Sequence, residues 1–186
     1  VPAKEAVLPQ CETLVSYKKS KDPENPARIS IQVDDTPQAE ATVVFATRPC
    51  DARGYAILDR PYLNGPFADP YYRARRDALT VISLTCNSGC NTCFCHWVGG
   101  GPTSPEGSDI LMTEIEGGYV LQAITPKGEA LLSASSLEDG GDRFGKVEEV
   151  RKAAWASLVP APNIKEAPQK LAAMFTDVEF WQNQTD

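Results

Sequence analysis

Apolar and polar positions change period several times along the 186 residues. Residues 28–33 alternate and are rich in β-branched side chains, the pattern of a half-buried strand. Asp34-Asp35-Thr36-Pro37 then reads as a turn. Thr42–Thr47 is an unbroken apolar run of strand length, which predicts a central strand buried on both faces. Leu79–Leu84 is a second such run. Ile110–Ile115 and 119–125 flank Glu116-Gly117-Gly118 and predict a hairpin.

Between these runs the period lengthens to that of a helix. Tyr55 and Leu58 share a face over 50–58. Asp69-Pro70 supplies a cap and a first-turn proline for a helix over 69–77. Val147, Val150, Ala154 and Leu158 form the inner face of a helix over 146–158, which Pro160 and Pro162 end. A further helix is predicted over 167–175, and 177–181 finishes the chain. Residues 1–27 carry Pro2, Pro9, Pro23 and Pro26 and read as irregular, with a short helix or strand near 12–17. Pro126-Lys127-Gly128 reads as a turn and 138–142 as an exposed acidic loop.

Strands alternate with helices, but the 110–125 hairpin sets this chain apart from a doubly wound sheet. The expected class is α+β: one mixed β-sheet with flanking helices and a Cys/Gly-rich loop at the strand ends. Residues 1–186 are read as one domain.

Composition narrows the function. Hydrophobic residues make up 42% of the chain, enough for a core, and the formal charge is −7. A phosphate backbone would be repelled, so nucleic acid is set aside. No stretch approaches the roughly 20 apolar residues of a membrane span, and no signal-peptide pattern is present.

The chemistry is concentrated in 86–102. This stretch holds four of the six cysteines, the chain's single histidine (His96) and the triplet Gly99-Gly100-Gly101. Cysteines this dense point to metal or redox chemistry in a reducing compartment, which predicts a cytoplasmic protein. Cys90 and Cys93 have the spacing of a zinc knuckle, with Cys86 and His96 available to complete a set. Cys93-Phe94-Cys95 instead places two thiols one residue apart, which strains a single-ion site but can reach two corners of a larger cluster. Gly99, Gly100 and Gly101 amides and the Arg48 charge are candidates to stabilise such an anionic group. Spacing leaves three options open: an iron–sulfur cluster, zinc, or disulfides and free thiols. Cys50 follows the 42–47 strand as Cys86 follows 79–84. If those strands are parallel neighbours, Cys50 lies at the same sheet edge as the 86–95 loop and becomes a candidate fourth ligand. Cys11 reads as an isolated thiol.

Arg48-Pro49-Cys50-Asp51, the run Asp69-Pro70-Tyr71-Tyr72-Arg73-Ala74-Arg75-Arg76, and Cys93-Phe94-Cys95 with Gly99-Gly100-Gly101-Pro102 together resemble one family. It comprises the iron–sulfur electron-transfer subunits of soluble sulfhydrogenases (the beta subunit) and of anaerobic sulfite reductase. Pro2-x-Lys4 with Leu8-Pro9-Gln10-x-Glu12, and Leu171-Ala172-x-x-Phe175 with Phe180-Trp181, extend the likeness to both ends. The resemblance implies electron transfer between two partner subunits, one flavin-containing and the other catalytic, holding nickel–iron or sirohaem. It also implies a 4Fe-4S cluster on Cys50, Cys86, Cys93 and Cys95, with Cys11 and Cys90 outside the pattern. Family members continue into a ferredoxin-like region. The chain therefore looks like the N-terminal part of a longer protein, with 171–186 leading into the missing domain.

Two other readings remain beside this one. In the first, a structural or docking domain carries zinc or no metal on its cysteines. In the second, a small-molecule redox enzyme uses Cys93 or Cys95 as a reactive thiol. Arg73, Arg75 and Arg76 either dock a partner or form a solvated helix face.

Overall fold

The computed structural model of the chain describes residues 2–25, 27–160 and 166–183. Pro26, Pro162 and the last three residues of the 171–186 segment lie outside the described residues. The fold is α+β: a four-stranded mixed sheet with helices on both faces, and a separate two-stranded ribbon.

The main sheet has the order β3-β4-β5-β6, from β3 (Thr42–Thr47), β4 (Leu79–Leu84), β5 (Ile110–Ile115) and β6 (Gly118–Ala123). β3 and β4 are parallel, as are β4 and β5, and β6 returns antiparallel across the expected hairpin. The turn needs its glycines, because Gly117 and Gly118 both take positive φ, at 86° and 154°. β4 is the central strand. Val81 on one face joins Ala52, Tyr55 and Tyr72, whereas Ile82 on the other joins Ile110 and Met112.

Two long helices share the first face. α1 (Pro49–Leu63) supplies Ala52 and Tyr55, and α4 (Arg143–Ala156) packs Val147 against Ile115 and Val120. α2 (Pro70–Ala78) adds Tyr72 and starts as expected, with Asp69 Oδ1 accepting from the Tyr71 and Tyr72 amides. The opposite face is covered by α3 (Pro126–Ser133) through Leu132. α5 (Ala167–Met174) and α6 (Val178–Gln182) close the described chain.

Several expectations are corrected. β3 is an edge strand rather than a central one. α3 packs over β4, β5 and β6, so Val43 and Phe45 stay 55% and 65% exposed. Pro126-Lys127-Gly128 opens α3 instead of making a turn. Thr125 is the cap, and Gly128 is required because a Cβ there would lie 2.1 Å from the Asp109 carbonyl oxygen. Residues 16–21 and 29–34 form the ribbon, β1 (Ser16–Lys21) against β2 (Ile29–Asp34), outside the main sheet. The Tyr71 hydroxyl faces the Leu14 and Asp35 carbonyls and so holds the base of both ribbon strands.

Two of the three α2 arginines are engaged within the chain instead of forming a solvated face. Arg75 Nε donates to the Val7 carbonyl at 2.8 Å and its guanidinium pairs with Glu12. Arg76 Nε donates to Asp59 at 3.1 Å. Both tie the helix to its own domain, and Arg73 alone is exposed. The N-terminal segment is held in the same way. Val7 is fully buried in the cluster around Tyr55, and the Tyr55 hydroxyl donates to the Ala3 carbonyl.

Candidate metal centre

Because β3 and β4 run parallel, their C-terminal ends open on one edge of the sheet, the edge where α/β arrangements place ligands. Cys50 sits in the first turn of α1, two residues after its cap residue Arg48. Asp51 lies in that turn, and no side chain caps the helix. Cys86 lies two residues beyond the end of β4, and its amide donates to the Pro102 carbonyl at 2.9 Å, which closes the base of the 86–102 loop.

Inside the loop two tight turns set the remaining thiols. The Cys93 amide donates to the Cys90 carbonyl at 3.0 Å. Cys95 begins a single 3₁₀ turn, Cys95–Val98, that ends on Gly99 with φ 81°. The Gly100 amide then donates back to the Cys95 carbonyl at 2.8 Å.

Cys50, Cys86, Cys93 and Cys95 all line one cavity of about 500 Å³, together with Gly100 and Gly101. That size lies within the roughly 300–1,000 Å³ of small-molecule and cofactor sites. The thiols sense one another. Burial pushes the Cys86 thiol up, the Arg48 charge pulls it down, and thiolates at Cys50, Cys93 and Cys95 would each push it up further. Cys50 is exposed, yet partial desolvation beside the cavity still raises its thiol, with Asp51 and Cys95 adding to it. At Cys93 the Cys90 amide favours the thiolate, but the Cys90 thiol, burial and neighbouring sulfurs outweigh it and the pKa rises. Among the described residues no three His, Cys, Asp or Glu side chains close on a point as a single ion requires.

Cys90 stands apart. It is exposed, with its sulfur 3.2 Å from the Cys93 sulfur and 3.2 Å from the Thr92 hydroxyl. The Thr92 hydroxyl and then the Cys93 thiol lower its pKa to about 7. Cys11 is exposed in the N-terminal segment and does not line the cavity. His96 Nε2 lies 2.7 Å from the Val159 carbonyl, so this ring nitrogen faces the chain after α4 and not the sulfurs.

The end of α4 acts as a clamp on the loop. The Ser157 hydroxyl accepts from the Gly89 amide at 2.7 Å, and Trp155 Nε1 donates to the Thr103 hydroxyl at 3.1 Å. Arg53 holds the loop from the other side. Its Nε pairs with Glu106 at 2.7 Å and another guanidinium nitrogen donates to the Val98 carbonyl at 2.6 Å. Sequence reasoning missed Arg53. The available signal was its spacing of three from Cys50, which puts both side chains over one stretch of helix surface. Arg48, by contrast, donates to the Thr85 carbonyl, at 3.5 Å.

Fold and site together define an α+β domain with a thiol-lined cavity at the ends of a parallel strand pair. No family model matches the chain, and no solved structure matches it. The chain is similar to sulfhydrogenase 2 subunit beta of Pyrococcus furiosus, at 29% identity over 127 residues. The matched region is 67% of this chain and 37% of that protein, so the similarity relates the chain to a little over a third of a hydrogenase beta subunit. No helix among the described residues is long and apolar enough to cross a membrane.

Proposed function

We propose that this chain is an electron-transfer domain of a multi-subunit anaerobic oxidoreductase of the hydrogenase or sulfite reductase type. Cys50, Cys86, Cys93 and Cys95 hold a 4Fe-4S cluster. The observation that carries this reading is the convergence of these four thiols, from two strand ends and one loop, on a single cavity. The donor set supports it in kind. Every proposed ligand is sulfur, the softest side-chain donor, and all four line the one cavity. The similarity to a sulfhydrogenase beta subunit supports the same reading.

When bound, the cluster supplies a site that stores and passes one electron. The chain's own part is to hold and tune it. The thiols of Cys50 and Cys86 are both shifted upward, so they are protonated before they ligate and loading releases their protons. Arg48 offsets negative charge beside Cys86. Gly100 and Gly101 stand on the cavity wall, and the absence of a Cβ at Gly101 admits the Trp155 indole behind it. Gly99 supplies the left-handed turn that brings them there.

In this reading the protein is cytoplasmic, and the chain is the N-terminal part of a longer subunit whose 171–186 segment leads into a ferredoxin-like domain. Its partners are two further subunits, a flavin-containing one for electron transfer and a catalytic one. The test is iron, sulfide and zinc content of protein purified without oxygen, beside a Cys95→Ser variant. About four irons and four sulfides per chain, lost in the variant, is the expected result. Zinc or no metal on an intact fold would replace this reading with a structural docking module.

A further inference from the structure

The four proposed ligands leave Cys90 unused, and this sulfur lies 3.2 Å from that of Cys93. We propose that Cys90 and Cys93 are a redox-active dithiol, which closes to an intraloop disulfide when a low-molecular-weight disulfide such as glutathione disulfide reacts with the metal-free chain.

Three features of the loop carry this. The Cys90-Asn91-Thr92-Cys93 spacing is that of dithiol redox motifs. The backbone is already folded for the bond. The Cys93 amide donates to the Cys90 carbonyl at 3.0 Å, closing a four-residue turn. Such turns hold their end Cα atoms within about 7 Å, the span a disulfide bridges at roughly 4.4–6.8 Å. The sulfurs face each other rather than outward, and the Cys90 amide also donates to the Cys93 sulfur, at 3.1 Å. The remaining gap to an S–S bond of about 2.05 Å is within reach of a χ rotation on an exposed loop. Cys90 is exposed and Cys93 half-buried, so the external disulfide meets Cys90 first.

The exchange is balanced. The Cys90 thiolate attacks one sulfur of the external disulfide, forming a mixed disulfide and releasing one small thiol. The Cys93 thiolate then attacks the Cys90 sulfur and releases the second. Two protein thiols lose two electrons and two protons, and the external disulfide gains both. If Cys93 is a cluster ligand, the disulfide removes it from the set and blocks loading until a dithiol reductant restores it. This consequence rests on the cluster reading, whereas the disulfide itself does not.

The experiment uses the whole 186-residue chain in metal-free form, equilibrated with reduced and oxidised glutathione. Alkylation and peptide mass spectrometry report which thiols are protected. The expected result is loss of two alkylatable thiols, with 90 and 93 linked, and no such loss in Cys90→Ser. Alkylation of both thiols at every ratio, or a Cys93 disulfide of equal yield in Cys90→Ser, overturns the proposal. Cys90 is exposed, so the serine variant is expected to fold. Oxidised and reduced samples are then offered iron and sulfide. Uptake lost on oxidation in the unsubstituted chain but kept in Cys90→Ser supports the blocking role. Equal uptake by the oxidised and reduced chain overturns that role. A chain that forms the disulfide yet takes up no iron in either state defeats the cluster reading and leaves the dithiol standing.

Discussion

The indole of Trp155 fills the space where Gly101 lacks a side chain: a Cβ on Gly101 would lie 2.3 Å from Trp155 Cζ2. Helix α4 thus presses directly on the wall of the thiol-lined cavity, and the glycine makes that contact possible. Gly101→Ala is expected to destabilise the fold by about 1–3 kcal/mol, the usual cost of overpacking. Urea unfolding checks it. Combining it with Trp155→Ala should cost less than the sum of the two single changes, because each removes the reason for the other's penalty. A strictly additive pair would mean that the loop, rather than the indole, resists the methyl group.

Ala46 is the described non-glycine residue with positive φ, at 58°, and it sits at the irregularity between Phe45 and Thr47 in β3. Such a bulge re-aims the strand end, here the stretch that carries Arg48 and Cys50. A left-handed conformation costs an L-residue about 1–2 kcal/mol, against about 0.5–1 kcal/mol of extra chain entropy for glycine. Ala46→Gly is therefore expected to leave stability unchanged or raise it by up to about 1 kcal/mol. Ala46→Val should lower it, since branching at Cβ worsens the same clash. Thermal unfolding of the two variants in parallel gives the order.

The Tyr72 hydroxyl donates to Asp59 at 2.7 Å, and burial, followed by that carboxylate, raises its pKa. A group whose pKa is raised on folding stabilises below its unfolded value and loses that contribution as pH rises through it. Stability should therefore fall as pH passes about 10, the ordinary tyrosine value. Tyr72→Phe is expected to cost about 1–2 kcal/mol at pH 7 through the lost hydrogen bond and to make the alkaline decline shallower. Some decline persists, because burial also raises Tyr55. Denaturant midpoints at pH 7, 9 and 10.5 separate the two effects.

Local signals carried much of this fold. Asp69-Pro70 announced α2, the Gly117-Gly118 pair announced its hairpin, and the apolar runs at 42–47 and 79–84 are strands and parallel neighbours. Sheet position was not legible, because an apolar run reads alike at a centre and at an edge. Which one β3 occupies is decided by strand pairing, and among the described residues only β4 pairs with it. Tertiary pairing was equally hidden. Arg75 and Arg76 look solvent-facing until Val7, Glu12 and Asp59 are placed beside them. At the site, strand order brought Cys50 to Cys86 as topology suggested. The clamp by Ser157 and Trp155 spans more than fifty residues of sequence and left no local trace.

Arg48 offers the sharpest test of how the chain tunes the proposed cluster. Its charge acts on Cys86, and its hydrogen bond goes to a neutral carbonyl, that of Thr85. One-electron reduction adds negative charge beside it, so an adjacent cation favours the reduced state. Removing the cation in Arg48→Gln is expected to lower the midpoint potential. Within about 10 Å, at an effective dielectric near 20, a unit charge is worth on the order of 1–2 kcal/mol. With about 59 mV per 1.4 kcal/mol for a one-electron couple, that is a fall of some tens of millivolts. Arg48→Lys keeps the charge but not the planar fork, and its potential should stay near that of the unsubstituted chain. Spectroscopically monitored redox titration of the three proteins reads the shift. An equal fall in both variants would assign Arg48 a shape role at the start of α1, and no shift in either would remove it from the electrostatics of the site.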